Sequence, residues 1–273
     1  MIVFPNAKIN IGLFVTEKRK DGFHNLETVF YPIGLSDVLE VGRGEGKAGE
    51  YCLVNTGIEV ACEPEKNLIV KAYLLLAGLY DLPSVSIHLH KVIPFGAGLG
   101  GGSSDAAFML RALNDYFELH ISEEKELEYA ASLGSDCAFF IRNHPAFASG
   151  RGEVLEEMEL SLGDYQLVLV KPDFEISTAE AYAGISPQLP VFDLRGLGAL
   201  SPMEWRGKVE NDFEKNVFEK YPRLAALKQQ LYDGGAVYAS MTGSGSAVYG
   251  LFERSKECHL KWEDCFVWQS EMI

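Results

Sequence analysis

The 273-residue chain has no apolar run approaching the roughly 18 residues that a membrane-spanning helix needs. Its first residues, Met1-Ile2-Val3-Phe4-Pro5-Asn6-Ala7-Lys8, lack the basic region and apolar core of a signal peptide. They also lack the Arg- and Ser-rich character of a transit peptide, so a cytoplasmic protein is expected, with no membrane partner. Positive charge is scarce: 24 Lys and Arg stand against 39 Asp and Glu, a net charge of −15. That balance argues against a nucleic-acid-binding face, which would be basic. It leaves room for an anionic small molecule held by a few local cations and N–H groups. Cysteine is sparse and scattered, at Cys52, Cys62, Cys137, Cys258 and Cys265, with no CxxC pair and no His/Cys metal spacing. Reduced thiols are expected, not a disulfide framework. Internal repeats and low-complexity tracts are absent, and nothing marks an obligate protein partner.

Glycine, by contrast, is concentrated. Five glycines fall between Gly96 and Gly102 in Pro94-Phe95-Gly96-Ala97-Gly98-Leu99-Gly100-Gly101-Gly102-Ser103-Ser104-Asp105. Glycine costs backbone entropy, so such a cluster points to main chain brought close to a ligand with its N–H groups free to donate. Before it, Val85, Ile87 and Leu89 alternate with Ser86, His88 and His90, the period of a half-buried strand. After it, Ala106, Met109, Leu110, Leu113 and Phe117 recur at helical spacing, and Ser103, Ser104 and Asp105 are residue types that open helices. Strand, glycine loop and helix together make an anion cradle over a helix N-terminus. A Walker loop is excluded because no lysine lies between Pro94 and Phe108. Gly96-x-Gly98-x-x-Gly101 satisfies the Rossmann pattern formally, but no βαβ unit opens the chain.

The length suits one large or two modest domains of roughly 100–200 residues each. The polar stretch Ser149–Glu153 is a candidate boundary, giving domains 1–152 and 153–273. Further elements read as a helix from Ser122 to Leu133, an apolar strand Cys137–Ile141, a strand Tyr165–Val170 and a helix Pro222–Tyr232. Strands at Ala236–Ala239 and Ala247–Phe252 flank Thr242-Gly243-Ser244-Gly245-Ser246, which on its own is most simply a hairpin turn. This order of elements predicts an α+β protein in two layers. Two charges stand out for chemistry. Asp136 is an isolated carboxylate between a helix end and an apolar run, and Lys8 is the lone charge between Ile2 and Thr16. Either alone reads more readily as a solvated or structural charge than as a catalytic one.

Pro5-Asn6-Ala7-Lys8-Ile9-Asn10, the loop Pro94–Ala107, Gly134-Ser135-Asp136 and the turn Thr242–Ser246, in that order, resemble the GHMP kinase superfamily. Within it, Asp21-Gly22-Phe23-His24-Asn25-Leu26-Glu27-Thr28, Asn67-Leu68-Ile69, Ala146–Gly152 and Asn211-Asp212-Phe213-Glu214 resemble the branch whose acceptor is a cytidine-diphosphate-linked methylerythritol. The resemblance implies a ribosomal-protein-S5-like N-terminal ATP-binding domain and a ferredoxin-like C-terminal domain. It also implies ATP-dependent phosphorylation of the acceptor's 2-hydroxyl in the non-mevalonate route to isoprenoid precursors, with Mg²⁺ accompanying ATP. Homoserine or mevalonate-type kinases of the same superfamily are the alternative.

By the same resemblance, Lys8 and Asp136 would be the catalytic pair. Pro94, Gly96, Ala97, Gly98, Leu99, Gly100, Gly101, Gly102, Ser103 and Ser104 would hold the ATP phosphates, and Asn67 and Lys91 the adenine end. Asn10 would meet the methylerythritol, His24 the cytosine edge, Phe23 the pocket wall and Tyr182 the cytosine face. Thr242 and Gly243 would close on the phosphate region, and Ser104 is the hydroxyl expected nearest Mg²⁺. The chain departs from the usual pattern at Phe23, often tyrosine, and at Cys137-Ala138, usually Val-Pro. The segment Gly184–Lys208 carries no recognisable motif.

Overall fold

The structure, a computed structural model, describes residues 1–256 and 259–272. Cys258 falls outside the described residues; Cys52, Cys62, Cys137 and Cys265 are free thiols. The chain forms two compact units that interleave along the sequence. One consists of Met1–Ala7, Leu35–Pro94 and Gly100–Asn143, the other of Lys8–Gly34, Phe95–Leu99 and His144–Ile273.

The first unit holds a four-stranded sheet in the order Ile2–Val3, Val38–Arg43, Val85–Lys91, Tyr51–Gly57. Only the last pair is parallel, because the helix Leu68–Tyr80 returns the chain between those two strands. Along Val85–Lys91 the expected alternation is present: Val85, Ile87 and Leu89 point inward, and so does Lys91. The helices Leu68–Tyr80 and Gly101–Tyr116 bury Ile69, Val70, Tyr73 and Leu76, and Ala106, Met109, Leu110 and Leu113.

Three local expectations shift. The helix after the glycine loop begins at Gly101, with Gly100 in the left-handed region at φ 70°. Ser103, Ser104 and Asp105 therefore lie inside its first turns and do not cap it. The run Cys137–Ile141 is a helix, Cys137–Arg142, not a strand. All five of its apolar residues are buried, so it reads apolar on every side, and a run this short carries no periodicity to separate helix from strand. Asn143, left-handed at φ 57°, ends it. The strand placed at Ala236–Ala239 spans Tyr238–Met241. The helices Glu123–Leu133 and Pro222–Asp233 and the strands Tyr165–Pro172 and Val248–Glu253 lie where the sequence places them.

The second unit carries two sheets, ordered Asn6–Lys18, His24–Ser36, Ala146–Ser149, Val154–Glu157 and Tyr238–Met241, Val248–Glu253, Tyr165–Pro172, Cys265–Glu271. The latter is wholly antiparallel. Phe213, Val217, Leu224, Leu227 and Leu231, from the helices Phe213–Lys220 and Pro222–Asp233, pack on its Val168, Val170, Met241 and Val248. Helices and largely antiparallel sheets make this an α+β protein, as expected. Among the described residues no helix is long and apolar enough to cross a membrane.

Candidate active site

In the second unit the middle of the glycine loop, Phe95–Leu99, is locked by backbone contact. Gly96 and Gly98 have φ of 61° and 75°, a region L-residues rarely adopt. A Cβ at Gly98 would overlap the Thr242 carbonyl oxygen, and one at Gly245 would overlap the Ala97 carbonyl carbon and the Gly98 nitrogen. The Ser246 N–H donates to the Gly96 carbonyl at 3.1 Å. The turn Thr242–Ser246 is thus both the hairpin between two strands and the floor of the loop. Asn211 supports it from below: its Nδ2 donates to the carbonyls of Met241 and Gly243, each at 2.9 Å. Gly98→Ala combines left-handed strain of about 1–2 kcal/mol with steric overlap, so a loss of about 2–4 kcal/mol in unfolding free energy is expected. Gly102→Ala, in a helix with only Leu68 Cδ1 nearby at 3.9 Å, is expected to hold or raise stability. Thermal melts of the two variants check the contrast.

Lys8 is buried against the same loop. Its Nζ donates to Asn10 Oδ1 at 2.5 Å and to the Gly98 carbonyl at 3.0 Å, and lies 4.9 Å from the Phe30 ring centroid. Asn10 passes the alignment on, its Nδ2 donating to Thr28 Oγ1 at 2.9 Å, which donates to the Gly12 carbonyl at 2.5 Å. Thr242 Oγ1 accepts from the Asn10 N–H at 3.0 Å and donates to the Gly98 carbonyl at 3.1 Å. Lys8, Asn10, Gly98 and Thr242, from three separate stretches of the sequence, therefore form one network. Thr28 belongs to it and was not singled out by the sequence; its place in the His24–Ser36 strand gives no distinguishing signal.

The residues expected to recognise the base, Phe23, His24 and Tyr182, also lie in this unit. Asp21 Oδ1 accepts from the Phe23 N–H at 3.1 Å, which sets the turn, and its hydrogen bond from Arg19 holds its carboxyl below the usual range. Phe23 is exposed, with the Arg151 guanidinium 5.1 Å from its ring. His24 and Tyr182 stack ring on ring, centroids 4.9 Å apart and planes within 19°. Tyr182 also meets the edge of Phe213, next to Asn211 and Asp212, at 4.8 Å.

In the first unit, Asp136 sits half-buried at the start of the helix Cys137–Arg142 and makes no capping hydrogen bond to it. Beside it, burial pushes the Cys137 thiol up to about 11, with the Ser103 hydroxyl partly offsetting this, so the thiol stays protonated at neutral pH. Asn67 is spent locally: its Oδ1 caps the helix Leu68–Tyr80 by accepting from the Ile69 N–H at 3.0 Å.

Lys91, expected at the adenine end, lies in a buried ion cluster. It is 2% exposed, and its ammonium binds Asp37 Oδ2 and, at 2.7 Å, Asp105 Oδ2. Asp37 Oδ1 accepts the N–H groups of Val92 and Ile93, at 2.5 and 2.8 Å. Burial, which outweighs the attraction of Lys91, pushes the Asp105 carboxyl up to about 7. Unfolded, that carboxyl ionises near 3.8, so between pH 4 and pH 7 the folded state keeps a proton that the unfolded state releases. Stability accordingly falls as pH rises through that window. Asp105→Asn retains an oxygen for Lys91 and removes the titration. It is expected to be more stable than the parent at pH 8, by on the order of a few kcal/mol, with the difference vanishing below pH 4. Urea unfolding at the two pH values measures it.

Ser104, the hydroxyl expected nearest Mg²⁺, brings no uncommitted adjacent carboxylate with it. The Ser104 hydroxyl is wholly buried without a hydrogen-bond partner, and its neighbour Asp105 is committed to Lys91. Among the described residues no group of three His, Cys, Asp or Glu side chains could hold a metal.

The chain matches two family models, the GHMP kinases N-terminal domain over residues 67–150 and the GHMP kinases C-terminal domain over residues 186–263. It is 53% identical, over the full length of both chains, to the 4-diphosphocytidyl-2-C-methyl-D-erythritol kinase of Bacteroides fragilis. The chain belongs to this family of GHMP kinases. A crystal structure of 4-(cytidine 5'-diphospho)-2C-methyl-D-erythritol kinase superimposes on the kinase with TM-score 0.74 at 32% identity, covering 92% of this chain and 90% of that one. The mevalonate kinase of Methanococcus jannaschii superimposes with TM-score 0.69 over 100% of this chain and 98% of its own, but at 15% identity it shares the fold alone.

Proposed function

We propose that this ATP-dependent small-molecule kinase transfers the γ-phosphoryl group of ATP to the 2-hydroxyl of 4-diphosphocytidyl-2-C-methyl-D-erythritol. The observation that carries the acceptor assignment is the meeting of His24 with Tyr182, which are far apart in sequence and stacked in the fold. A 4.9 Å spacing leaves no slot for a third ring. Cytosine would stack on Tyr182 by turning His24 out to the base's edge, where the imidazole nitrogens meet its hydrogen-bonding groups. Phe23 walls the site without the hydroxyl that a tyrosine would bring.

In this reading Asp136 takes the proton of the acceptor hydroxyl as the oxygen attacks the γ-phosphorus and ADP leaves. Lys8 supplies positive charge, and Asn10, expected beside the polyol, fixes its ammonium. The loop Gly96–Ser103 and the N-terminus of the helix Gly101–Tyr116 would offer N–H groups to the phosphates. Mg²⁺ would arrive with the nucleotide's phosphates and neutralise their charge, since the donor set described above does not hold it alone. Both partners are small molecules, and the reading places the reaction in the cytoplasm.

The test is ADP release with ATP and each of three acceptors: the cytidine-diphosphate-linked methylerythritol, homoserine and mevalonate. Turnover with the first alone is expected. Turnover with homoserine or mevalonate but not with the cytidine compound would overturn the assignment.

A further inference from the structure

The buried cluster Asp37–Lys91–Asp105 has a cost that packing alone does not repay. Its side chains are 0%, 1% and 5% exposed, and replacing such an ion cluster by apolar side chains is often neutral or stabilising. Its position is specific. Asp37 grips three consecutive residues, Lys91 by its ammonium and Val92 and Ile93 by their N–H groups, and Pro94 opens the glycine loop directly after them. Asp105 stands in the first turns of the helix that receives the chain after Gly100. One ammonium therefore ties the residues entering the loop to the residues leaving it. The fit is close: a Cβ at Gly101 would come within 3.0 Å of Lys91 Nζ and 2.9 Å of Ile93 Cγ2.

We propose that Asp37, Lys91 and Asp105 are positioning residues that fix the distance between the two ends of the glycine loop, at Ile93 and Gly101, and so set nucleotide affinity, with Lys91 acting on those ends and not on the adenine. This rests on the reading of that loop as the ATP cradle. A base-contacting lysine and a positioning lysine make different predictions. The first discriminates among bases. The second changes the affinity of every nucleoside triphosphate by the same factor, because what it shapes is the part of the site that holds the shared phosphates.

The experiment compares the parent, Asp105→Asn and the double variant Lys91→Met/Asp105→Asn, the last removing the bridge without leaving Asp105 as a second unpaired buried carboxylate. KM and kcat are measured for ATP and for GTP, and ADP binding is followed by calorimetry, with thermal melts to verify folding. Asp105→Asn, which keeps an acceptor for Lys91 but not its charge, is expected to raise KM for ATP by less than the double variant does. The double variant is expected to raise KM for ATP and for GTP equally, by tenfold or more, with kcat within threefold and KM for the acceptor unchanged. A folded double variant with parental ADP affinity, or one whose ATP-to-GTP preference changes, overturns the inference. Failure of the parent itself to bind ADP would refute the cradle reading instead, so the two failures are told apart. Should the double variant not fold, Asp37→Asn serves in its place. It weakens the same grip while keeping Lys91 paired with Asp105, and an unchanged KM for ATP in that variant also overturns the inference.

Discussion

Replacing Asp136 by asparagine is expected to lower kcat by about 10²–10⁴-fold, the span that a positioned general base contributes. KM for ATP should stay within about twofold. Asparagine matches the carboxylate in shape, and the side chain makes no capping bond to the helix Cys137–Arg142, so that helix stays anchored by its own buried Cys137, Phe139, Phe140 and Ile141. What is lost is the capacity to accept a proton. Steady-state assays should show the fall in kcat, and single-turnover mixing should place it in the chemical step and not in product release. A variant retaining kcat within tenfold of the parent would remove Asp136 from the proposed chemistry.

The site was legible in proportion to how far each signal stayed local. The glycine loop announced itself because phosphate-sized access and left-handed backbone both demand glycine, and both demands act within a few residues. The turn Thr242–Ser246 was harder. Read alone it satisfied a hairpin, and it is one; its second role depends on contact with a segment well over a hundred residues earlier, which no local pattern encodes. The helix Cys137–Arg142 was misread for a related reason, since full burial erases the polar face by which an amphipathic helix is recognised.

Lys91 is the instructive case, because its signal was present and unread. It continues the inward phase of Val85, Ile87 and Leu89, so the alternation itself puts an ammonium in the core. A buried lysine demands carboxylates, and Asp37, between the strands His24–Ser36 and Val38–Arg43, and Asp105, among the apolar positions of its helix, were the candidates. By residue type alone Asp105 reads as a helix opener. Pairing period with charge, and not reading either by itself, identifies the cluster from the sequence.

Lys8→Met is the second large loss expected. Methionine nearly matches the length of lysine and adapts to the same buried channel beside Phe30, so the volume is kept and the charge goes. The Gly98 carbonyl retains the Thr242 hydroxyl at 3.1 Å, whereas Asn10 Oδ1 loses its short partner and is left with a 3.4 Å contact to Thr242. A stability cost of about 1–3 kcal/mol follows from that one buried acceptor, enough to lower the melting temperature by several degrees without unfolding the protein. Removing a preorganised donor from a site of developing charge costs about 10²–10³ in kcat, so the catalytic loss should far exceed what the melt predicts. Lys8→Arg should not restore it, because the channel is closed around a compact point charge and a planar guanidinium cannot reproduce both bonds. If Lys8 and Asp136 serve one chemical step, the double variant should fall little below the worse single variant, since removing either partner already forfeits what the two achieve together. Multiplicative losses would assign them to separate steps, with Lys8 acting on the transferred phosphoryl group alone.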